Sequence, residues 1–170
     1  MRHSNVSDNQ GFTILEALIV LVFAGILAAM AGPSYSAWSQ RRAVDSAITS
    51  IEGAIKEAQR QAMARSRTCN ITLNTSAKTV TTPNTNSRIC LLTGDRTLSD
   101  VTLAASATSL NFDHLGNTTS EITVVVAPSA NSSSNNFRKC LVLSQPLGLI
   151  GTGNYTGASG TTTSSSCVPE

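Results

Sequence analysis

The chain has 170 residues, twelve Lys and Arg against ten Asp and Glu, a formal net charge of +2, and 41% hydrophobic but only 4% aromatic residues. That length holds one domain of conventional size plus an accessory segment, and so mild a positive balance does not announce nucleic acid as a partner. From Ser34 onward eleven Lys and Arg stand against eight Asp and Glu, a formal +3, and Ser, Thr, Asn and Gly supply much of the remainder, so the surface is expected to be polar but weakly charged.

The first segment, Met1 to Gln10, is polar and nearly neutral, with Arg2 and His3 set against Asp8. An ordinary secretory signal would carry a positive n-region, a short apolar core and a small-residue cleavage site after that core. Here the apolar run instead begins at Phe12 and continues for twenty residues to Ala31. A helix of that length crosses a hydrocarbon core of roughly 30 Å. Glu16 is its one ionisable side chain. An acid inside such a segment costs about 2.5 to 3.5 kcal/mol at mid-helix, less near the end, and usually finds a partner. Cleavage between Gly11 and Phe12 would leave the apolar helix on the mature chain and create an α-amine one helical turn from Glu16. On a neighbouring copy, staggered along an assembly axis, that amine is a candidate cation for the acid. The bland alternative is a signal anchor with an incidental Glu.

Gly11-Phe12-Thr13-Ile14-Leu15-Glu16 followed by a long apolar helix resembles the class III leader of type IV pilins and type II secretion pseudopilins. The resemblance implies a leader over 1–11, a transmembrane or filament-core helix over 12–32, cleavage after Gly11 by a prepilin peptidase, N-methylation of Phe12, and an assembly role for Glu16. Pro33 falls where pilins commonly carry a helix-kinking proline.

Beyond Pro33 a second helical pattern covers 33–67. Val44, Ile48, Ile51, Ile55, Ala58 and Ala62 recur at steps of three and four, with Arg42, Asp45, Glu52, Lys56, Glu57 and Arg60 on the other faces, which predicts a helix with one buried side. Small residues and short length suit packing on a sheet better than a coiled coil. Arg41 and Arg42 follow the apolar span on what should be its outer side, whereas positive-inside counting would place them in the cytoplasm. Orientation therefore rests on the leader.

The remainder, 68–170, reads as strands: Cys69 to Leu73, Thr79 to Thr82, Arg88 to Leu92, Val101 to Ala104, Ser109 to Phe112, Glu121 to Ala127, Lys139 to Ser144 and a last short one near Leu149. Asn and Gly turn signals, such as Asp113-His114-Leu115-Gly116-Asn117, separate them. The low-complexity tail Thr152 to Ser166 reads as a flexible linker. One long helix followed by consecutive short strands predicts an α+β fold with the helix packed on an antiparallel β-sheet.

Cys69, Cys90, Cys140 and Cys167 show no C-x-x-C spacing for zinc or redox work. Disulfides are the better use, in keeping with a domain outside the cytoplasm. Three pairings are open. Cys69 with Cys90 and Cys140 with Cys167 is favoured, each closing a loop of about 20 to 30 residues worth roughly 3 kcal/mol, the second pinning the tail.

No catalytic residue, metal site or cofactor is expected. The only histidines are His3 and His114, no serine sits in a Gly-x-Ser-x-Gly elbow, and no phosphate loop appears. His114 beside Asp113 reads as a turn residue.

Ala64-Arg65-Ser66, Asn111-Phe112-Asp113 with Gly116, and Cys140-Leu141-Val142-Leu143-Ser144 followed by Pro146-Leu147-Gly148 resemble the FimT, FimU and GspH group of minor pilins and pseudopilins. Membership implies a minor type IV pilin that enters or primes the pilus, or alternatively a GspH-like pseudopilin of a type II secretion system. The implied partners are other pilin subunits, the inner-membrane assembly machinery, the prepilin peptidase and the inner membrane itself. The implied location is a single-pass inner-membrane protein with a periplasmic domain, passing into a pilus or pseudopilus. Some FimT proteins bind DNA in natural transformation through a Gly-Arg-x-Arg motif after the late strand. Here the matching positions read Gly148-Leu149-Ile150-Gly151, lacking both arginines. The remaining candidates for DNA are Arg60, Arg65 and Arg67 at the helix end and Arg138 with Lys139, which also read simply as cations favoured by a helix C-terminus and as solvated charges.

Overall fold

The computed structural model describes residues 13–83, 90–129 and 137–169, without the side chains of residues 30–34. Helix α1 (Ile14–Arg65) is followed by nine strands: β1 (Cys69–Asn74), β2 (Thr79–Thr81), β3 (Arg96–Thr97), β4 (Val101–Ala105), β5 (Ser109–Phe112), β6 (Ile122–Pro128), β7 (Lys139–Ser144), β8 (Leu149–Tyr155) and β9 (Cys167–Pro169). The chain divides into two units, Met1–Ala37 and Trp38–Glu170.

In the first unit the helix starts at a Thr-x-x-Glu sequence. Thr13 Oγ1 accepts the Glu16 N–H at 3.2 Å, satisfying one of the donors that a helix N-terminus leaves unpaired, and an acid in the first turn also complements the helix dipole. From Ile14 to Leu27 the large apolar side chains are exposed on every face, from 49% at Ile19 to 84% at Ile14.

The second unit is organised by the other half of α1. Val44, Ala47, Ile48, Ile51, Ala54, Ile55, Ala58 and Ala62 are buried. Alanines between the isoleucines let strands approach the helix closely, while each buried Ile contributes about 1.5 to 3 kcal/mol. Two antiparallel sheets share this stripe. The first has the order β3-β2-β1-β5 and the second β4-β6-β7-β8-β9, so the chain leaves the first sheet after β3, lays β4 against β6, and returns as β5. Ile71, Leu73, Val80, Leu110 and Phe112 from the first sheet and Val101, Ile122, Val124, Val126, Leu141 and Leu143 from the second join the helix in one core.

The second sheet is also covered on its other face. Val125, Cys140 and Tyr155 form a smaller buried cluster against Ala104 and Cys167. Disulfides join Cys69 to Cys90 and Cys140 to Cys167. The second reaches across β8, where Gly153 faces Cys140 and pairs with Pro169. A Cβ at Gly153 would lie 2.1 Å from the Val168 carbonyl oxygen, so only glycine lets β9 close over this point.

Two details change. The expected α+β fold stands, with the helix under two antiparallel sheets where one was expected. The strand expected over Arg88 to Leu92 is not one: Arg88 and Ile89 lie outside the described residues, and Cys90 to Leu92 form no strand, the edge strand being Arg96–Thr97. Cys90 and Leu91 are both buried, and two successive inward side chains contradict the alternation of a strand. The tail from Thr152, which the Cys140–Cys167 disulfide was expected to pin, is tied by that disulfide and is ordered structure. Its first part completes β8, and the Tyr155 hydroxyl then gathers the tail, 2.7 Å from Thr161 Oγ1 and accepting the Thr163 N–H at 3.2 Å.

Glu57, on the flank of the buried stripe, fastens the turn before β3. Its carboxylate accepts the Thr93 N–H at 3.1 Å, the Thr93 hydroxyl at 2.7 Å and Arg96 Nη2 at 3.0 Å. Burial pushes this carboxyl up, but the hydrogen bonds from Thr93 and the charge of Arg96 outweigh it and hold its pKa below the ordinary 4.5. A depressed carboxylate pKa contributes stability that is full above the unfolded value and lost as pH falls through the folded one. Glu57→Gln is therefore expected to destabilise by about 1.5 to 3 kcal/mol at pH 7. The gap should narrow as pH drops below 4.5, measured by urea unfolding of both proteins across pH; a gap independent of pH would contradict the assignment. Replacing Cys140 and Cys167 together with Ala should lower stability by roughly 3 kcal/mol. In that variant, limited proteolysis should cut between Gly157 and Ser166 under conditions in which the parent stays intact.

Candidate assembly interface

Gly11 and Phe12, the expected processing pair, lie outside the described residues. Glu16 is exposed in the first turn of α1, its backbone N–H held by Thr13. Pro33 falls within α1, with its side chain outside the described set. Among the described residues no helix is long and apolar enough to cross a membrane. The described apolar side chains stop at Ala29, and the sequence continues apolar through Ala31. What the described part shows is an apolar surface on all sides of a helix, in which Glu16 is the sole charge. Exposed in water, such a surface is strongly unfavourable; lipid tails or apolar helices of other subunits satisfy it equally well.

At the other end of α1, Gln59 holds two loops together. Its Nε2 donates to the Gly116 carbonyl at 2.9 Å and to the Leu147 carbonyl at 3.3 Å, and Thr118 N–H donates to the Pro146 carbonyl at 2.8 Å. Gly116 and Gly148 both adopt positive φ, +83° and +66°, and a Cβ on Gly148 would meet Gln59 Nε2 at 2.9 Å. Nothing in the sequence singled out Gln59, a polar residue beside a buried stripe. Asp113 is spent on its own turn, accepting the N–H groups of Leu115 at 2.9 Å and Asn117 at 2.8 Å. Desolvation pushes its carboxyl up, yet these bonds prevail and lower its pKa. Asp113 and His114 thus form a turn, and no group of three metal-ligating side chains occurs among the described residues.

The structure separates the candidate DNA contacts into two groups. Arg60, Arg65 and Arg67 are exposed at the end of α1, Arg60 Nε donating to the Lys56 carbonyl and Arg65 Nε to Gln61 Oε1, both at 3.2 Å. Lys139 instead pairs with Asp45 at 3.2 Å, fifteen residues before Arg60 and hence about 22 Å away along the helix. Arg138 lies over the Tyr155 ring at 5.7 Å. At Gly148 to Gly151 the chain offers exposed Leu149 and no cation.

No protein-family model and no curated protein matches the chain. Among solved structures it is similar to the type IV minor pilin FimU of Pseudomonas aeruginosa strain PAO1, with a TM-score of 0.53 and 16% identity, over 77% of this chain and 99% of that one. At that identity the likeness carries the fold. A long N-terminal helix lying against antiparallel sheets in this way makes the architecture of the chain that of a type IV pilin.

Proposed function

We propose that the chain is a minor type IV pilin, cut between Gly11 and Phe12, N-methylated at Phe12, held in the inner membrane by its apolar helix and then drawn into a pilus. The observation that carries this is the helix from Ile14 to Leu27, apolar and exposed on every side with one acid in its first turn, on a chain with a pilin-like fold. Extraction into a filament replaces lipid contacts with neighbouring helices, so hydrophobic burial changes little and assembly can reverse. Selectivity then falls to polar groups. A Glu16 carboxylate left unpaired in a low-dielectric bundle costs several kcal/mol, and the Phe12 amine of a neighbouring copy offsets that cost. The alternative is a GspH-like pseudopilin of a type II secretion system, which the same fold would serve. DNA capture is a weaker extension, resting on Arg60, Arg65 and Arg67, since Arg138 and Lys139 are engaged elsewhere in the domain.

Mass spectrometry of the mature protein is expected to find Phe12 methylated at the N-terminus; an intact leader would refute the processing step. Glu16→Ala should still enter the membrane but be depleted from sheared filaments on blotting. Glu16→Gln keeps a residue suited to the third helical position while removing the charge. Equal depletion in both variants assigns the effect to charge, and normal incorporation of Gln would remove the amine pairing from the mechanism. Full-length protein in detergent should retard DNA in gel shifts at low salt, less so at high salt, if the arginines at the end of α1 touch phosphates.

A further inference from the structure

Arg41 and Arg42 have no part in the function proposed above and stand on the side of the span where positive charge is unexpected. Both are exposed on α1, and each is set beside an aromatic ring. Arg42 lies 4.9 Å from the centroid of Trp38, and Arg41 5.7 Å from that of Phe137. Lys139 lies 6.0 Å from the same Phe137 ring while paired with Asp45. Trp38 is 52% exposed, an unusual position for the one tryptophan of a chain so poor in aromatics. Within the second unit, Trp38, Arg41, Arg42 and Phe137 therefore make a basic and aromatic patch, beside which Lys139 is neutralised by Asp45.

We propose that this patch binds anionic phospholipid headgroups, docking the domain on the membrane surface before assembly. The inference rests on the reading of the apolar helix as a membrane anchor. Three observations favour lipid as the occupant. Trp38 follows the last residue of the apolar run by seven positions, so the chain itself keeps it within about 25 Å of the end of the span. Tryptophan is the side chain most at home at the boundary of headgroups and hydrocarbon, because its ring is apolar and its N–H needs a partner. The guanidinium groups match lipid phosphates in charge and geometry, and a ring behind each cation favours its approach to a partly dry surface. The binding is electrostatic, so it weakens as salt shortens the screening length from about 10 Å at 0.1 M to about 3 Å at 1 M.

The single tryptophan gives a direct test. Full-length protein is reconstituted into vesicles of phosphatidylcholine alone or with phosphatidylglycerol, and acrylamide quenching of Trp38 is measured. On anionic vesicles the emission should shift to the blue and quenching fall about twofold or more, both reversing near 1 M salt. Each basic residue near an anionic surface contributes about fivefold, so the double variant R41Q/R42Q should lower the docked-to-undocked ratio about 25-fold and restore quenching, with thermal unfolding unchanged. Equal quenching on both vesicle types, or protection retained in the double variant, overturns the proposal. Protection of Trp38 by an oligonucleotide on neutral vesicles, with none from anionic lipid, also overturns it and assigns the patch to nucleic acid. Resistance to alkaline extraction is scored in parallel. Protein that is extracted has lost the anchor reading; protein that remains but shows no composition dependence has lost only the docking.

Discussion

Both sheets of the domain depend on one stripe of α1. Val44, Ile48, Ile51, Ile55, Ala58 and Ala62 are buried, and residues of β1, β2, β5, β6 and β7 lie against them in a single core. Among the described residues the opposite face of the second sheet carries a smaller buried cluster of Val125, Cys140 and Tyr155. The domain is thus organised as an appendage of a helix. This places a constraint on sequence, because the same helix must read as amphipathic from Val44 onward and as apolar all round before Ala29.

The two disulfides tie down segments next to the shortest edge strands. Cys69–Cys90 ties the start of β1 to the segment ahead of the short edge strand β3, which has only two residues. Glu57 secures the same segment from the helix through Thr93 and Arg96. Cys140–Cys167 fixes β9, whose three residues pair only with β8. Edge strands this short cannot hold themselves by backbone hydrogen bonds alone, so each has a covalent link nearby and a polar hub, Glu57 in one case and the Tyr155 hydroxyl in the other.

What the sequence revealed follows from which signals are local. Periodicity marked the buried stripe because 3.6-residue spacing is written in the chain itself, and Glu121 to Ala127 read as a strand because β-branched residues fill it from Ile122 to Val126. The edge strand Arg96–Thr97 was invisible: two polar residues carry no alternation. Composition alone reads the tail from Thr152 as a linker, because the features that order it, the Cys140–Cys167 disulfide and the Tyr155 hydroxyl reaching Thr161 and Thr163, are tertiary contacts. Gln59 was missed for the same reason. The Arg138-Lys139 dipeptide looked like one basic element, yet the two side chains diverge where the chain enters β7, Arg138 lying over Tyr155 and Lys139 pairing with Asp45.

The contrast between Glu16 in the first turn of α1 and Arg41 and Arg42 near its middle bears on how the proposed assembly could be selective. An apolar helix gains nearly the same burial from lipid as from a bundle of identical helices, so hydrophobicity fixes its need for cover without choosing the cover. The choice lies with few polar groups. On the proposed function Glu16 would favour a bundle that supplies a cation, whereas Arg41 and Arg42, on the proposed docking, would favour the membrane and release headgroup phosphates on extraction. Opposing preferences of a few kcal/mol each, set against a large and indifferent apolar term, leave an equilibrium that neighbouring subunits can tip in either direction. Such a balance would suit the pilin proposed above, which waits in one environment and functions in another.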